Sequence, residues 1–215
     1  MRMRKYRLLT IVLLAACTAG FAQRKALTPA ETAAFKEKVI ANTRNLKSLE
    51  SNFTQSKQLS YMEHAVKASG KLYFRAPQDI RWEYRQPTSY VIVFDHQTMF
   101  IDEGGSKPKQ IDLAANRRLK GLSGLLVGTV QGGNVVDESR FVVDYYRAGS
   151  GYAAILRPKD KALQRYIKEV ELTFDGSTFL INRIKIIDPT QDFTLIDFEN
   201  QRKNVAMPEE LFAIK

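Results

Sequence analysis

Sulfur and imidazole are almost absent from this chain. Cys17 is its one cysteine, and His64 and His96 are its two histidines. A lone cysteine excludes an intrachain disulfide and a cysteine metal site. Neither histidine has a second group at ligand or triad spacing, so both read as surface or hydrogen-bonded residues. No apolar run approaches the ~20 residues of a membrane-spanning helix. A phosphate-binding loop, a dinucleotide fingerprint, a zincin helix and a calcium loop are all missing, so no metal and no cofactor is expected. Long blocks of one charge are missing too. The 33 Lys+Arg and 23 Asp+Glu are interspersed, which argues against a nucleic-acid-binding face. There is no internal repeat, linker or low-complexity block.

Catalytic constellations are equally scarce. GLSG, Gly121 to Gly124, falls one residue short of a nucleophile elbow, and no buried strand precedes it. Asp95, Asp102 and Glu103 sit at a strand end or beside a Gly–Gly turn, where acids are ordinary. These absences lower the expectation of an enzyme without excluding one whose site assembles from distant residues. An enzyme acting on lipids or envelope polymers through a dispersed site is the alternative of a different class.

The first residues address the compartment. Arg2, Arg4, Lys5 and Arg7 precede the apolar run Leu8–Ala16, and small residues lead to Ala22–Gln23. This is the layout of a secretory signal covering residues 1–22, with Gly20 and Ala22 suited to signal peptidase. LAAC, Leu14 to Cys17, also fits a lipobox, in which Cys17 is acylated and anchors the chain to a membrane. The expected product is a periplasmic protein; the alternative is an outer-membrane lipoprotein. Residues 1–22 hold four basic and no acidic residues. Their removal leaves 29 Lys+Arg against 23 Asp+Glu, a net charge of +6, and a single domain over residues 23–215. That surplus favours encounters with anionic headgroups or acidic partners.

TPAE, Thr28 to Glu31, is a capping box with proline at the first helical position. It predicts a helix over 29–46 that buries Phe35, Val39 and Leu46. Alternating segments then predict strands at 49–55, 65–74, 80–84, 90–95, 98–102 and 109–113. A second set follows at 140–147, 152–157, 168–174, 179–187 and 193–198, with 205–212 closing the chain. AGSG and Asp175–Gly176 are hairpin turns. Ten or eleven strands with few helices predict a mainly β fold, a barrel or sandwich of antiparallel strands.

Two stretches stand out. In SGKLYFRAPQDIRWEYRQP, Leu72 and Phe74, then Ile80, Trp82 and Tyr84, share one sheet face with the lone tryptophan at its centre. Asn116–Asn134 spaces Leu119, Leu122, Leu125 and Leu126 as a helix does, but it includes Gly121, Gly124 and Gly128. Each interior glycine costs a helix roughly 0.5–1 kcal/mol. Such a helix is either a close-packed core segment or a movable apolar flap over a cavity.

The run ASGKLYFRAPQDIRWEYRQPTSYVIVFDHQTMFI, with FTQ at Phe53–Gln55, LRPKD at Leu156–Asp160 and FENQRKN at Phe198–Asn204, resembles the periplasmic lipoprotein carrier family, LolA, whose outer-membrane receptor relative is LolB. The resemblance spans about Ala30 to Phe212. It implies an incomplete antiparallel β-barrel around an apolar cavity, covered by helical lid segments, and no catalysis. It implies a monomer that takes acylated lipoproteins from an ATP-driven inner-membrane exporter and carries them to an outer-membrane receptor or membrane. Phe53, Leu72, Phe74, Ile80, Trp82 and Tyr84 would line the cavity, and Leu122, Leu125 and Leu126 would belong to the lid. In the family an arginine just before the turn proline holds the lid closed. Here Ala76 stands there, leaving Arg75 and Arg81 as lid-closing candidates.

Overall fold

The computed structural model describes residues 24–95, 98–105, 107–113, 115 and 136–213. Twelve strands build one antiparallel sheet. They are β1 (Lys25–Ala26), β2 (Ser48–Gln58), β3 (Val66–Arg75), β4 (Asp79–Gln86), β5 (Tyr90–Asp95), β6 (Thr98–Asp102), β7 (Lys109–Asp112), β8 (Phe141–Ala148), β9 (Gly151–Pro158), β10 (Glu169–Phe174), β11 (Ile181–Ile187) and β12 (Phe193–Lys203). Their spatial order is β1-β8-β9-β10-β11-β12-β2-β3-β4-β5-β6-β7. Two meanders, β2–β7 and β8–β12, are thus fused along the β12–β2 pair. The sheet does not close: β1 and β7 form its two ends. The excess over ten or eleven strands comes from β1, whose two residues pair with Arg147 and Tyr146.

Alternation gives this sheet two unlike faces. Leu49, Phe74, Ile80, Phe94 and Met99 form one row across β2 to β6. Ser51, Leu72, Trp82, Ile92 and Ile101 form the next. Across the other half, Ile196, Ile184, Leu172, Ala154 and Tyr145 continue the same face. Apart from Ser51, the residues of these rows belong to one apolar cluster. The outer face holds ion pairs instead: Glu50 with Lys71 and Arg202, Glu83 with Arg81 and Arg85, Asp197 with Arg183. Such pairs contribute only about 0–1 kcal/mol each where water reaches them. The inner face therefore supplies the cohesion, and the outer charges fix which side stays wet.

Helix α1 (Pro29–Thr43) begins at the capping box. The Glu31 amide donates to Thr28 Oγ1 at 3.3 Å, and the Thr28 amide donates to Glu31 Oε2 at 2.8 Å. Its buried residues are Phe35, Val39 and Thr43. Phe35 stacks on Tyr152 at 4.6 Å and meets the edge of Phe174 at 5.1 Å. Lys36 pairs with Glu138, which also accepts a hydrogen bond from the Tyr145 hydroxyl at 2.9 Å. The helix thereby lies on the inner face over β8 to β10. A one-turn helix, α2 (Lys161–Gln164), is capped by Asp160, whose Oδ1 accepts from the Ala162 amide at 2.8 Å.

The β10–β11 hairpin is organised by Asp175. Its Oδ1 accepts from the Ser177 hydroxyl at 2.6 Å and from the Thr178 amide at 2.7 Å. The Ser177 hydroxyl first, then the Thr178 amide, hold its carboxyl at about 2, below the ordinary 3.8. A depressed carboxylate adds stability that is present above 3.8 and disappears as pH falls through about 2. Asp175→Asn is expected to flatten the acid limb of a pH–stability profile within that window.

One expected strand is corrected. The segment 205–212 does not join the sheet; its end is a 3-10 turn, Glu209–Phe212. Asn204 takes φ +56 and turns the chain away, while its Oδ1 accepts from the Lys47 amide at 2.8 Å. Pro208 then offers no N–H to a ladder. The segment reaches the outer face, where Phe212 lies under the Arg75 guanidinium, 4.5 Å from ring to carbon. Helix α1 also stops at Thr43, short of Leu46, which is nevertheless buried. His96 and the stretch 116–134, expected to be helical, lie outside the described residues, as do residues 1–22 with Cys17.

Candidate functional site

The inner face over β2 to β5 and β12 is a continuous aromatic wall. Cross-strand register sets Phe198, Phe53, Gly70, Tyr84 and Tyr90 in a single row. Trp82 sits in the adjacent row. Its ring lies 5.1 Å from Phe53 and 6.0 Å from Phe198. Phe53 meets Tyr84 edge-on at 5.1 Å, and Tyr84 stacks on Tyr90 at 4.3 Å. Offset and edge contacts of this kind add about 0.5–1.5 kcal/mol beyond burial.

Gly70 makes the wall possible. A Cβ there would meet the Glu83 carbonyl oxygen at 1.9 Å and Phe53 Cε1 at 2.9 Å. The missing side chain lets the Phe53 and Tyr84 rings close over the backbone. At the same place the β3–β4 register shifts between Ser69 and Gly70, so Arg85 is left out of the ladder.

Little in the wall is polar. The Tyr84 hydroxyl donates to Gln55 Oε1 at 3.0 Å. Burial, with Tyr90 beside it, pushes that phenol far above its ordinary pKa, so it stays a neutral donor. Trp82 is only 4% exposed, and its Nε1 has no hydrogen-bond partner among the described residues. No group of three metal-ligating side chains occurs among the described residues. Asp102 accepts from the Gly104 amide and Glu103 pairs with Lys109, so the acids of that turn serve local structure. Among the described residues this face is apolar, with a few neutral hydrogen-bonding groups.

The family model for the outer membrane lipoprotein carrier protein LolA matches residues 44–215. The chain belongs to the LolA family. An outer-membrane lipoprotein carrier protein of Chromobacterium violaceum is 26% identical over 202 residues, covering 93% of this chain and 89% of that one. Among solved structures, MucB superposes with a TM-score of 0.52 at 13% identity, covering 86% of this chain and 63% of that one. A conserved protein from Thermus thermophilus gives 0.51 at 9% identity, covering 84% and 91%. At such identities these two speak to the fold alone.

The six residues expected to line a cavity, Phe53, Leu72, Phe74, Ile80, Trp82 and Tyr84, lie on one face, each under 9% exposed and within the apolar cluster. Leu122, Leu125 and Leu126 lie outside the described residues. Arg75 and Arg81 alternate with Phe74 and Ile80 and so take the outer face. Arg75 is bidentate on Asp79 Oδ2, at 3.0 and 2.8 Å, and covers Phe212. Arg81 donates to the Leu211 carbonyl at 3.2 Å and pairs with Glu83. Both guanidinia therefore hold the C-terminal turn, and holding a lid over the inner face would require them to change sides. Sequence reasoning missed Tyr90 and Phe198 as wall residues. The alternation of each strand was visible, but which strands pair was not.

Proposed function

We propose that this LolA family member is a periplasmic carrier that shelters lipoprotein acyl chains against its aromatic wall. It takes them from an ATP-driven exporter in the inner membrane and delivers them to an outer-membrane receptor, without catalysis. The Phe53–Trp82–Tyr84–Phe198 wall on an unclosed sheet is the observation that supports this most. A lipid tail needs bulky, neutral surroundings, and ring–ring contacts provide them without demanding tight fit.

Magnitudes favour a carrier over a trap. Burying one methylene is worth about 0.8 kcal/mol, so a ~16-carbon chain leaving water gains on the order of 12 kcal/mol. The real competitor is a bilayer, which offers the same gain. A wall comparable to lipid suffices, and direction comes from the loader and the receptor.

Native mass spectrometry of protein from its own envelope is expected to show co-purifying acylated protein; a ligand-free chain that also fails to bind an acylated peptide in vitro overturns the reading. Leu125→Glu is expected to weaken acylated-peptide binding at least tenfold while shifting the melting temperature little. The mature N-terminus separates this carrier from the anchored alternative: a Gln23 start is expected, and an acylated Cys17 would make the chain a membrane-bound acceptor.

A further inference from the structure

A buried N–H with no acceptor is unfavourable, by about 1–3 kcal/mol, and native proteins rarely keep one without a use. Trp82 keeps such a group at the centre of the aromatic wall. Its immediate neighbours are the rings of Phe53, Tyr84 and Phe198. Ring faces accept N–H groups only weakly. Two register rows away, Gln55 Oε1 already accepts from the Tyr84 hydroxyl at 3.0 Å. Among the described residues the wall thus has one strong, neutral, dry donor and no charge packed against it.

We infer that Trp82 Nε1 donates to an uncharged carbonyl oxygen of the guest, an ester or amide at the head of an acyl chain. The wall then reads where a fatty tail begins as well as how greasy it is. This rests on the carrier reading and deepens it by naming the ligand group. The donor type excludes the alternatives by chemistry. A free carboxylate would face rings without a cation, an expensive desolvation. A plain alkane leaves the indole proton orphaned. An ester or amide carbonyl is neutral, accepts one strong bond and is attached to the tail the wall would shelter. The Tyr84 ring packs against Trp82, and its hydroxyl bond to Gln55 is a second polar point further along the same face.

The chain has a single tryptophan, so its indole gives one Nε1–H resonance in a nitrogen–proton correlation spectrum. The mature protein is titrated with methyl laurate and, separately, with the unbranched alkane of equal chain length. Affinities are compared after correction for each probe's partition into hexadecane. The ester is expected to bind about tenfold tighter on that scale and to move the indole proton downfield, as a new hydrogen bond does. The alkane should leave the resonance near its free position. In Trp82→Phe, the ester-to-alkane ratio should fall towards one, whatever loss the two probes share. Equal corrected affinities with an unmoved indole proton would overturn the inference and leave the carrier reading standing. Failure of both probes to bind would instead overturn the carrier reading itself.

Discussion

Gly70→Val is expected to remove a large share of this protein's stability. Its Cβ would sit 1.9 Å from the Glu83 carbonyl oxygen, a backbone atom fixed in the β3–β4 ladder. Relief requires strands β3 and β4 to part or the Phe53 ring to leave, and Phe53 is 1% exposed. Overpacking ordinarily costs about 1–3 kcal/mol where side chains can shift. A collision with backbone leaves less room, so about 3 kcal/mol or more is expected, a fall of ~6–12 °C in melting temperature for a domain of this size. Thermal denaturation followed by circular dichroism measures it. Gly70→Ala, with only the Cβ added, should reproduce most of the loss. A wild-type melting temperature for either variant would show that the bulge at Ser69–Gly70 yields freely.

Phe35→Ala tests the other half of the inner face. Helix α1 has 15 residues, too few to be stable alone in water, and its capping box adds only about 1 kcal/mol. What holds it to the sheet is Phe35, packed among Tyr152, Phe174 and Tyr145. Truncation should cost about 3–5 kcal/mol in urea unfolding. The loss should also be local. Amide exchange is expected to quicken throughout residues 29–43 while the β2–β4 amides stay protected, because their cohesion resides in the Phe53–Trp82 rows. Uniform loss of protection would mean that both halves open as one unit.

Local chemistry made much of this fold legible. Thr28, Pro29 and Glu31 specify the start of α1 within a few atoms, so that boundary is readable without tertiary information. The β5 and β6 limits, 90–95 and 98–102, were readable because polar turns flank short apolar runs. Phe53, Leu72, Phe74, Ile80, Trp82 and Tyr84 were assignable to one face because period two is intrinsic to a strand. What stayed hidden depends on distant partners. The two residues of β1 are a strand only because β8 is there to bond them. Alternation at Val205 and Met207 looks like a strand, yet Asn204 at positive φ takes the chain off the ladder. Phe198 and Tyr90 became wall residues through the β12–β2 and β4–β5 registers, which no single segment encodes. The family resemblance supplied the expectation for Arg75, but the outward alternation of β3 governs where its side chain goes.

The free ends of the sheet have a mechanical meaning. In a closed barrel, any gain in girth must break a ladder. Here β1 and β7 share no bond, so the span between them can gape or narrow by small changes of twist spread over eleven strand pairs, with every rung intact. On the proposed carrier reading, a sheet of that kind would fit itself to thin or bulky loads with one set of contacts, as an unbuckled strap fits different wrists.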